Sequence, residues 1–448
     1  MTGHTNAGPV EPAETQEGDP EHLRRLLRYA NKVFSLTALL GSLCDTRVKP
    51  RVSTALVARI IFLTGLLRLR SFNALEPKLA ERGMQSLLGR SFVPRRVCSV
   101  EALGYSLARM DHATARQAVV DVVRKAERNK AFREGSFGSL RFVGLDGWET
   151  SSSRHRHCSA CLTRQLTING NQVTEYYHRC VVALLLDDRL EVVLDMEPVR
   201  SADAREEAGE KDVEGHEGEL TAAKRLVRRL RATYGRWLDV LVTDALYANG
   251  PFLTVAEECH FGVVSVLKKK TDEPLKEALA IWGDSPPEKV IDDPDRRERL
   301  ELWDCPAIET LSSYRGKIRV VRGRVYKRSE GDPHTWCFAV TGIAARRLSA
   351  RQIVLGGRSR WHLENTGFHQ WVTRWRFGHV FTHHPDALQA LFWLFFLAFN
   401  FLQLFLYRQL NSYGRDKGRD VTRTISRLVD EMNDELARLR TVVAWNTS

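Results

Sequence analysis

Apolar residues recur at three- and four-residue intervals from about His22 to Phe132, the spacing of helices that bury one face. LRRLLRYANKVFSLTALLGSL and VSTALVARIIFLTGLLRLRSFNALEPKLAERG carry this pattern most clearly. Ser99, just before VEALGYSLARM, predicts an N-cap, with Leu103 and Leu107 on the face beneath it. At Leu140 the period changes. RFVGLD predicts a short apolar strand that ends in Asp146, and RCVVALLLDD and RLEVVLDMEPV predict two strands turning at Asp187 and Asp188. GELTAAKRLVRRLRATYG returns to helical spacing and stops at Gly235. WLDVLVTDA is again an apolar strand ending in a carboxylate, Asp244. PFLTVAEECH predicts a short helix with Pro251 near its start, and FGVVSVLKK predicts a further strand.

Three strands, a helix, a strand, a helix and a strand follow the order of a ribonuclease-H-like α/β sheet. Beyond it, KIRVVRGRVYKR and HTWCFAVTGI predict strands in a β-rich insertion, where Trp282, Trp303 and Trp336 serve either as core or as platforms for an unpaired base. From Ser349 the chain reads as helical to about Val443, broken at NSYGRDKGRD. The expected division is a disordered tail (1–22), a helical N-terminal DNA-binding domain (23–138), a first part of the core (139–269) with a zinc-type insertion at 155–180, the β-rich insertion (270–349), and a catalytic helix with C-terminal helices (350–448). Residues 387–406, ALQALFWLFFLAFNFLQLFL, reach the length of a membrane helix. Asn400 and Gln403 interrupt the run and His383, His384 and Asp386 crowd its entrance, so a helix buried inside protein is expected.

At 448 residues the chain exceeds what one hydrophobic core commonly serves, and several structural units are expected. Its formal net charge of +12 favours a polyanionic partner, because neutralising phosphates releases their counterions. Arg24, Arg25, Arg28, Arg68, Arg70, Arg95 and Arg96 dot the helical N-terminal region, either as a DNA-facing surface or as an ordinary solvated helix face. Eight cysteines, only three of them close together, do not form a disulfide framework. The acidic start of the chain has no basic flank followed by an apolar stretch, so no signal peptide is expected and the cytoplasm, in association with the nucleoid, is the expected location.

The candidate chemistry lies in the carboxylates. Transfer of a phosphodiester uses two divalent ions, one activating the attacking oxygen and one stabilising the leaving oxygen. Mg²⁺, or Mn²⁺ in its place, takes oxygen ligands, and strand ends set carboxylate separations rigidly. Asp146 and Asp244 each follow an apolar strand. Glu364 lies in GGRSRWHLENTGFHQW, which predicts a helix on which Arg360, four residues earlier, shares its face. Either this is a routine helix ion pair, or Glu364 completes the metal site while Arg360 steadies it or meets a phosphate. Glu149 and the Tyr247–Asn249 turn flank the acids and read equally well as loop residues.

These blocks carry a resemblance. LDGWETSS, HCSACLTR with EYYH, LVTDALYANGP, and GGRSRWHLENTGFHQW with FGH resemble the IS4-like group of insertion-sequence transposases, over about residues 142–407. The resemblance implies a ribonuclease-H-like core, two Mg²⁺ or Mn²⁺ ions, a triad of Asp146, Asp244 and Glu364, and double-stranded DNA (element ends and target) as partner. It also implies at least a homodimer on DNA. The chain departs from that group's tyrosine–arginine–glutamate–lysine signature: Arg360 and Glu364 match, but Gly357 stands at the tyrosine position and Trp371 at the lysine position. Arg374 and Arg376 are the nearby cations available in place of the lysine.

Cys158-x-x-Cys161 has zinc-knuckle spacing, and His178 with Cys180 returns two more candidate ligands across a hairpin. The intervening LTRQLTINGNQVTEYY has an Asn-Gly turn and no core of its own, which a structural Zn²⁺ would explain. A redox CxxC and unliganded surface residues are the competing readings. By the resemblance, Cys158, Cys161 and His178 are the firmer ligands, with Cys180 or His157 as the fourth. His379, His383 and His384 have no thiol near them in sequence and are expected at the surface or against DNA.

Overall fold

The structure is a computed structural model and describes residues 21–132, 139–186, 190–268, 272–294, 296–327, 331–362, 368–373, 375, 377, 379, 381–410, 424–443 and 445. Four consecutive strands are followed by two that alternate with helices, and all but β2 are predicted by the periodicity: β1 (Phe142–Ser153), β2 (Leu162–Ile168), β3 (Asn171–Leu186), β4 (Glu191–Pro198), β5 (Val240–Thr243) and β6 (Gly262–Leu267). β4 pairs with β3 and β3 with β1, both antiparallel, while β1, β5 and β6 run parallel to one another. With the Glu219–Tyr234 helix crossing from β4 to β5 and the Gly250–Glu258 helix crossing from β5 to β6, this is a ribonuclease-H-like sheet. The turn expected at Asp187 and Asp188 lies outside the described residues, but Leu186 pairs with Glu191 on either side of it.

Two expectations are corrected. Asp146 does not end its strand. β1 runs on to Ser153 because β3 continues to pair with it as far as Tyr176, while the parallel partner β5 stops at Thr243. The β-rich segment also does not stand apart from the core. Its strands β7 (Lys289–Asp293), β8 (Glu298–Ile308), β9 (Ile318–Lys327) and β10 (His334–Thr341) join the same sheet, with β10 antiparallel to β6. The open edge of a parallel sheet is thereby covered by paired backbone. In this segment Trp282 and Trp303 are buried, and Arg322 stacks on both rings at 5.1 and 3.8 Å.

Both faces of the sheet are covered, and the strand period of two sorts the residues. Phe142, Val240, Val242 and Val264 face one core, under the Ala350–His362 helix. Val143, Leu145, Leu241 and Val263 face the other, with the Glu219–Tyr234 helix and the N-terminal helices. The Ala350–His362 helix lies flush on the sheet because Gly356 and Gly357 have no side chains. A Cβ on Gly356 would stand 2.3 Å from the Phe142 ring, and one on Gly357 2.3 Å from the Phe338 ring. The absent tyrosine at position 357 is thus explained by Phe338, which occupies its space.

The apolar run becomes the Pro385–Phe405 helix, which is long and apolar enough to cross a membrane but has 94% of its most apolar window buried in protein. Asn400 shows why a polar residue sits there. Its side-chain amide donates to the Val193 carbonyl at 2.9 Å and accepts from the Val193 N–H at 2.8 Å, bonding β4 as another strand would. Trp371, at the missing lysine position, is fully buried against Trp148, Phe396 and Phe399. The N-terminal helices share one core with these C-terminal elements. Phe34 and Phe62 both meet Phe401 edge-on, and Glu435 accepts from the Leu23 N–H at 2.7 Å.

β4 is fastened to the helices beside it by a buried carboxylate. Asp195 is fully buried and accepts hydrogen bonds from Arg116 and Arg229 at 2.6 to 3.1 Å. Removing the carboxylate takes the main partner from two guanidiniums that retain only a fifth to a third of their exposure, leaving Arg229 with Glu197 and Arg116 with the Thr233 hydroxyl. Asp195→Ala is therefore expected to cost about 3 kcal/mol, the lower end for a broken buried pair, read as a lowered midpoint in urea unfolding.

Candidate active site and metal centre

The register of the parallel pair brings the two strand acids together. Phe142, Val143 and Gly144 stand opposite Val240, Leu241 and Val242. The same offset carried two residues on puts Asp146 abreast of Asp244, on strands about 4.8 Å apart. By the period of two, both side chains lie on the face of Phe142, Val240 and Val242, which the Ala350–His362 helix covers. From that helix Arg360 donates to Asp146 Oδ2 at 2.9 Å, while Asp146 Oδ1 accepts the Gly147 N–H at 2.9 Å. Arg360 is itself buried. Asp244 accepts the Leu246 N–H at 2.9 Å, which folds the short turn Ala245–Tyr247 and aims the chain away from the sheet. Asn249 then caps the next helix through the Phe252 N–H at 3.1 Å.

Glu364 lies outside the described residues, as do Arg374 and Arg376. Glu149 is engaged elsewhere, in a bidentate pair with Arg164 at 2.9 Å. Of the expected active-site residues, the fold therefore gathers Asp146, Asp244 and Arg360. Two half-buried carboxylates side by side, with a cation against one of them, form a donor set suited to a hard divalent ion.

Reasoning from sequence missed Glu219 altogether. It opens the Glu219–Tyr234 helix and approaches β1 from the opposite face of the sheet. Its Oε1 accepts from the Tyr247 hydroxyl at 2.7 Å, and its Oε2 lies 2.6 Å from Arg179 Nη2. Tyr247 is fully buried, and its hydroxyl is pushed well above its ordinary pKa, first by burial, then by Glu219, and further by Asp146 and Asp244. The glycine directly after Asp146 was the one available signal.

The second cluster holds Cys158, Cys161 and His178. The two sulfurs are 3.7 Å apart, and His178 Nε2 lies 3.5 and 3.4 Å from them. Tetrahedral zinc with ordinary bond lengths requires about 3.8 Å between two sulfurs and about 3.5 Å between sulfur and nitrogen. The match holds on all three edges. Cys158 and Cys161 close a turn through the Cys161 N–H to the Cys158 carbonyl at 3.0 Å, and His178 reaches them from β3. Asn169 and Gly170, both at positive φ, turn the hairpin between β2 and β3. Hydrogen bonds from Cys158 and His178 draw the Cys161 thiol down to about 4, whereas its bond to Cys161 and burial push Cys158 up. Cys180 and His157 stand outside the group. Cys180 is buried with its thiol pushed up by that burial, and His157 stacks on Tyr176 at 4.6 Å. His383 is corrected from its expected place. Burial holds its imidazole below the ordinary value, and Cys161, Arg156, His178 and His157 are close enough to act on it. One thiol remote in sequence, Cys161, is near it in space.

Residues 210–401 match the transposase DDE domain family. The match supports placing the chain in a DDE transposase family. The matched segment contains Asp244, Arg360 and Glu364, and begins beyond Asp146 and the cysteine cluster. No curated protein matches the chain.

Proposed function

We propose that this chain is a transposase that cuts DNA at the terminal inverted repeats of an insertion sequence of the IS4-like group and joins the freed ends to target DNA, dependent on Mg²⁺ or Mn²⁺. The reading rests above all on Asp146, within β1, and Asp244, at the end of β5, standing abreast, with Arg360 on Asp146. Together with Glu364 these acids would hold two divalent ions, which supply activation of the attacking oxygen and stabilisation of the leaving one. The chain's own part is positional. Parallel strands fix the spacing of the acids, and Arg360 neutralises Asp146 until a cation or phosphate competes for it. Cys158, Cys161 and His178 would hold a structural Zn²⁺, with the fourth position filled by His157 or Cys180 after a side-chain movement.

The helical region 23–138 would grip the element's ends. Arg25, Arg70 and Arg95 are exposed and suited to phosphate, whereas Arg24 pairs with Glu435 and Arg68 stacks on Trp375. Joining two ends implies at least a homodimer on DNA, in the cytoplasm at the nucleoid. The test is incubation with a labelled end-bearing oligonucleotide, a target plasmid and Mg²⁺. Joined products are expected. Cleavage without joining would favour a nuclease on the same core, and binding without cleavage would favour a regulatory DNA-binding protein.

A further inference from the structure

Glu219 is placed as no loop acid would be. Its side chain is 7% exposed, on the sheet face opposite Asp146 and Asp244, yet it touches the backbone of one acid's strand and the turn of the other. On one side its carboxylate lies against the Gly147 Cα so closely that a Cβ there would stand 2.1 Å from Oε2. Gly147 is the residue after Asp146. On the other side Oε1 takes the hydroxyl of Tyr247, which closes the turn begun by Asp244 through its N–H to the Asp244 carbonyl at 3.3 Å. Arg179 of β3, paired with β1 opposite Glu149, holds Oε2 and compensates the buried charge.

We infer that Glu219 is a positioning residue that ties the two acid-bearing strand ends together, through Gly147 on β1 and Tyr247 after β5. The inference deepens the proposed function, since it takes Asp146 and Asp244 as the holders of a divalent ion. Backbone pairing between β1 and β5 ends before the acids are reached, at Gly144 and Val242. Beyond that point the two carboxylates are joined by no ladder bond of their own, and the Glu219 bridge is what connects the peptide after Asp146 to the turn after Asp244. Both of the bridge carboxylate's oxygens are engaged by Arg179 and Tyr247, and it lies across the sheet from the acids, so it serves as a brace and not as a metal ligand. Groups that brace ligands commonly change metal affinity by about 10- to 100-fold when lost.

The test is Mn²⁺ binding to the full-length protein without DNA, followed by the electron paramagnetic resonance of free Mn²⁺, on wild type, Glu219→Gln, Tyr247→Phe and Asp244→Asn. Glu219→Gln keeps the shape but loses charge, and is expected to weaken Mn²⁺ binding about tenfold or more. Tyr247→Phe removes one hydroxyl from a buried ring and is expected to move affinity the same way, which decides the matter should Glu219→Gln fold poorly by circular dichroism. The metal concentration for half-maximal strand cleavage should rise in parallel, and excess Mn²⁺ should restore cleavage. Wild-type affinity in well-folded Glu219→Gln and Tyr247→Phe, alongside loss of binding in Asp244→Asn, overturns the bridge alone. Wild-type affinity in Asp244→Asn overturns the proposed metal site itself.

Discussion

Asp244→Ala should abolish strand cleavage while leaving end binding intact. Asp244 is half-buried at the end of β5, and its described side-chain hydrogen bond shapes a three-residue turn. Its loss therefore removes a charge from the acid pair without opening the core. A metal's stabilisation of phosphoryl-transfer charge is worth several kcal/mol, so losing a ligand should lower the cleavage rate by about 10³-fold or more. DNA affinity, dominated by phosphate contacts to basic residues elsewhere, should change little. Gel shift with an end-bearing oligonucleotide and product analysis on the same samples check both halves. A variant that still cut at the normal rate would remove Asp244 from the catalytic set.

The second large effect concerns the thiols. Protein purified without chelator is expected to carry about one zinc per chain, and Cys161→Ala to carry none. The loss of affinity should exceed the roughly 100-fold cost of disturbing a residue that only braces a ligand. The β2–β3 hairpin alternates exposed and half-buried residues beyond Leu162, so it has little apolar burial to hold it once the ion is gone. Limited proteolysis should then cut within it. The pH dependence has a definite sign. Cys161, drawn down to about 4, is already a thiolate near neutrality, whereas Cys158, pushed up, keeps its proton. Zinc must expel the Cys158 proton, so binding releases about one proton and weakens about tenfold per pH unit on acidification. Competition with a chromophoric chelator at pH 6 and pH 8 measures this. Zinc content that is unchanged in Cys161→Ala would dismiss the site.

Much of the framework was legible because it is local. Five of the six core strands, the Ser99 cap, the helix ending at Gly235 and the burial of the Pro385–Phe405 helix follow from spacing, composition and terminal residues. Asp146 and Asp244 were legible as candidates because each follows an apolar run, though a lone aspartate in such a place is common. The cysteine turn was legible as a spacing, but its third partner came from a β3 register that only pairing settles. Apart from the glycine after Asp146, nothing along the chain marked Glu219 as different from the other acids of a basic, exposed-looking helix.

The chain order of its apolar runs thus decided by itself which elements form, in what succession, and which side chains could carry the chemistry. Periodicity reports that a face is buried because it depends on neighbours three or four residues away. It is silent about what buries the face, which depends on residues hundreds of positions distant. Only the tertiary structure decided that β1 outruns β5 at Asp146, that Phe338 occupies the space beside Gly357, that His383 lies near Cys161, and that Glu219 reaches under both acids. Each is a contact between segments whose meeting is set by sheet register and helix packing, and no short stretch of residues encodes that.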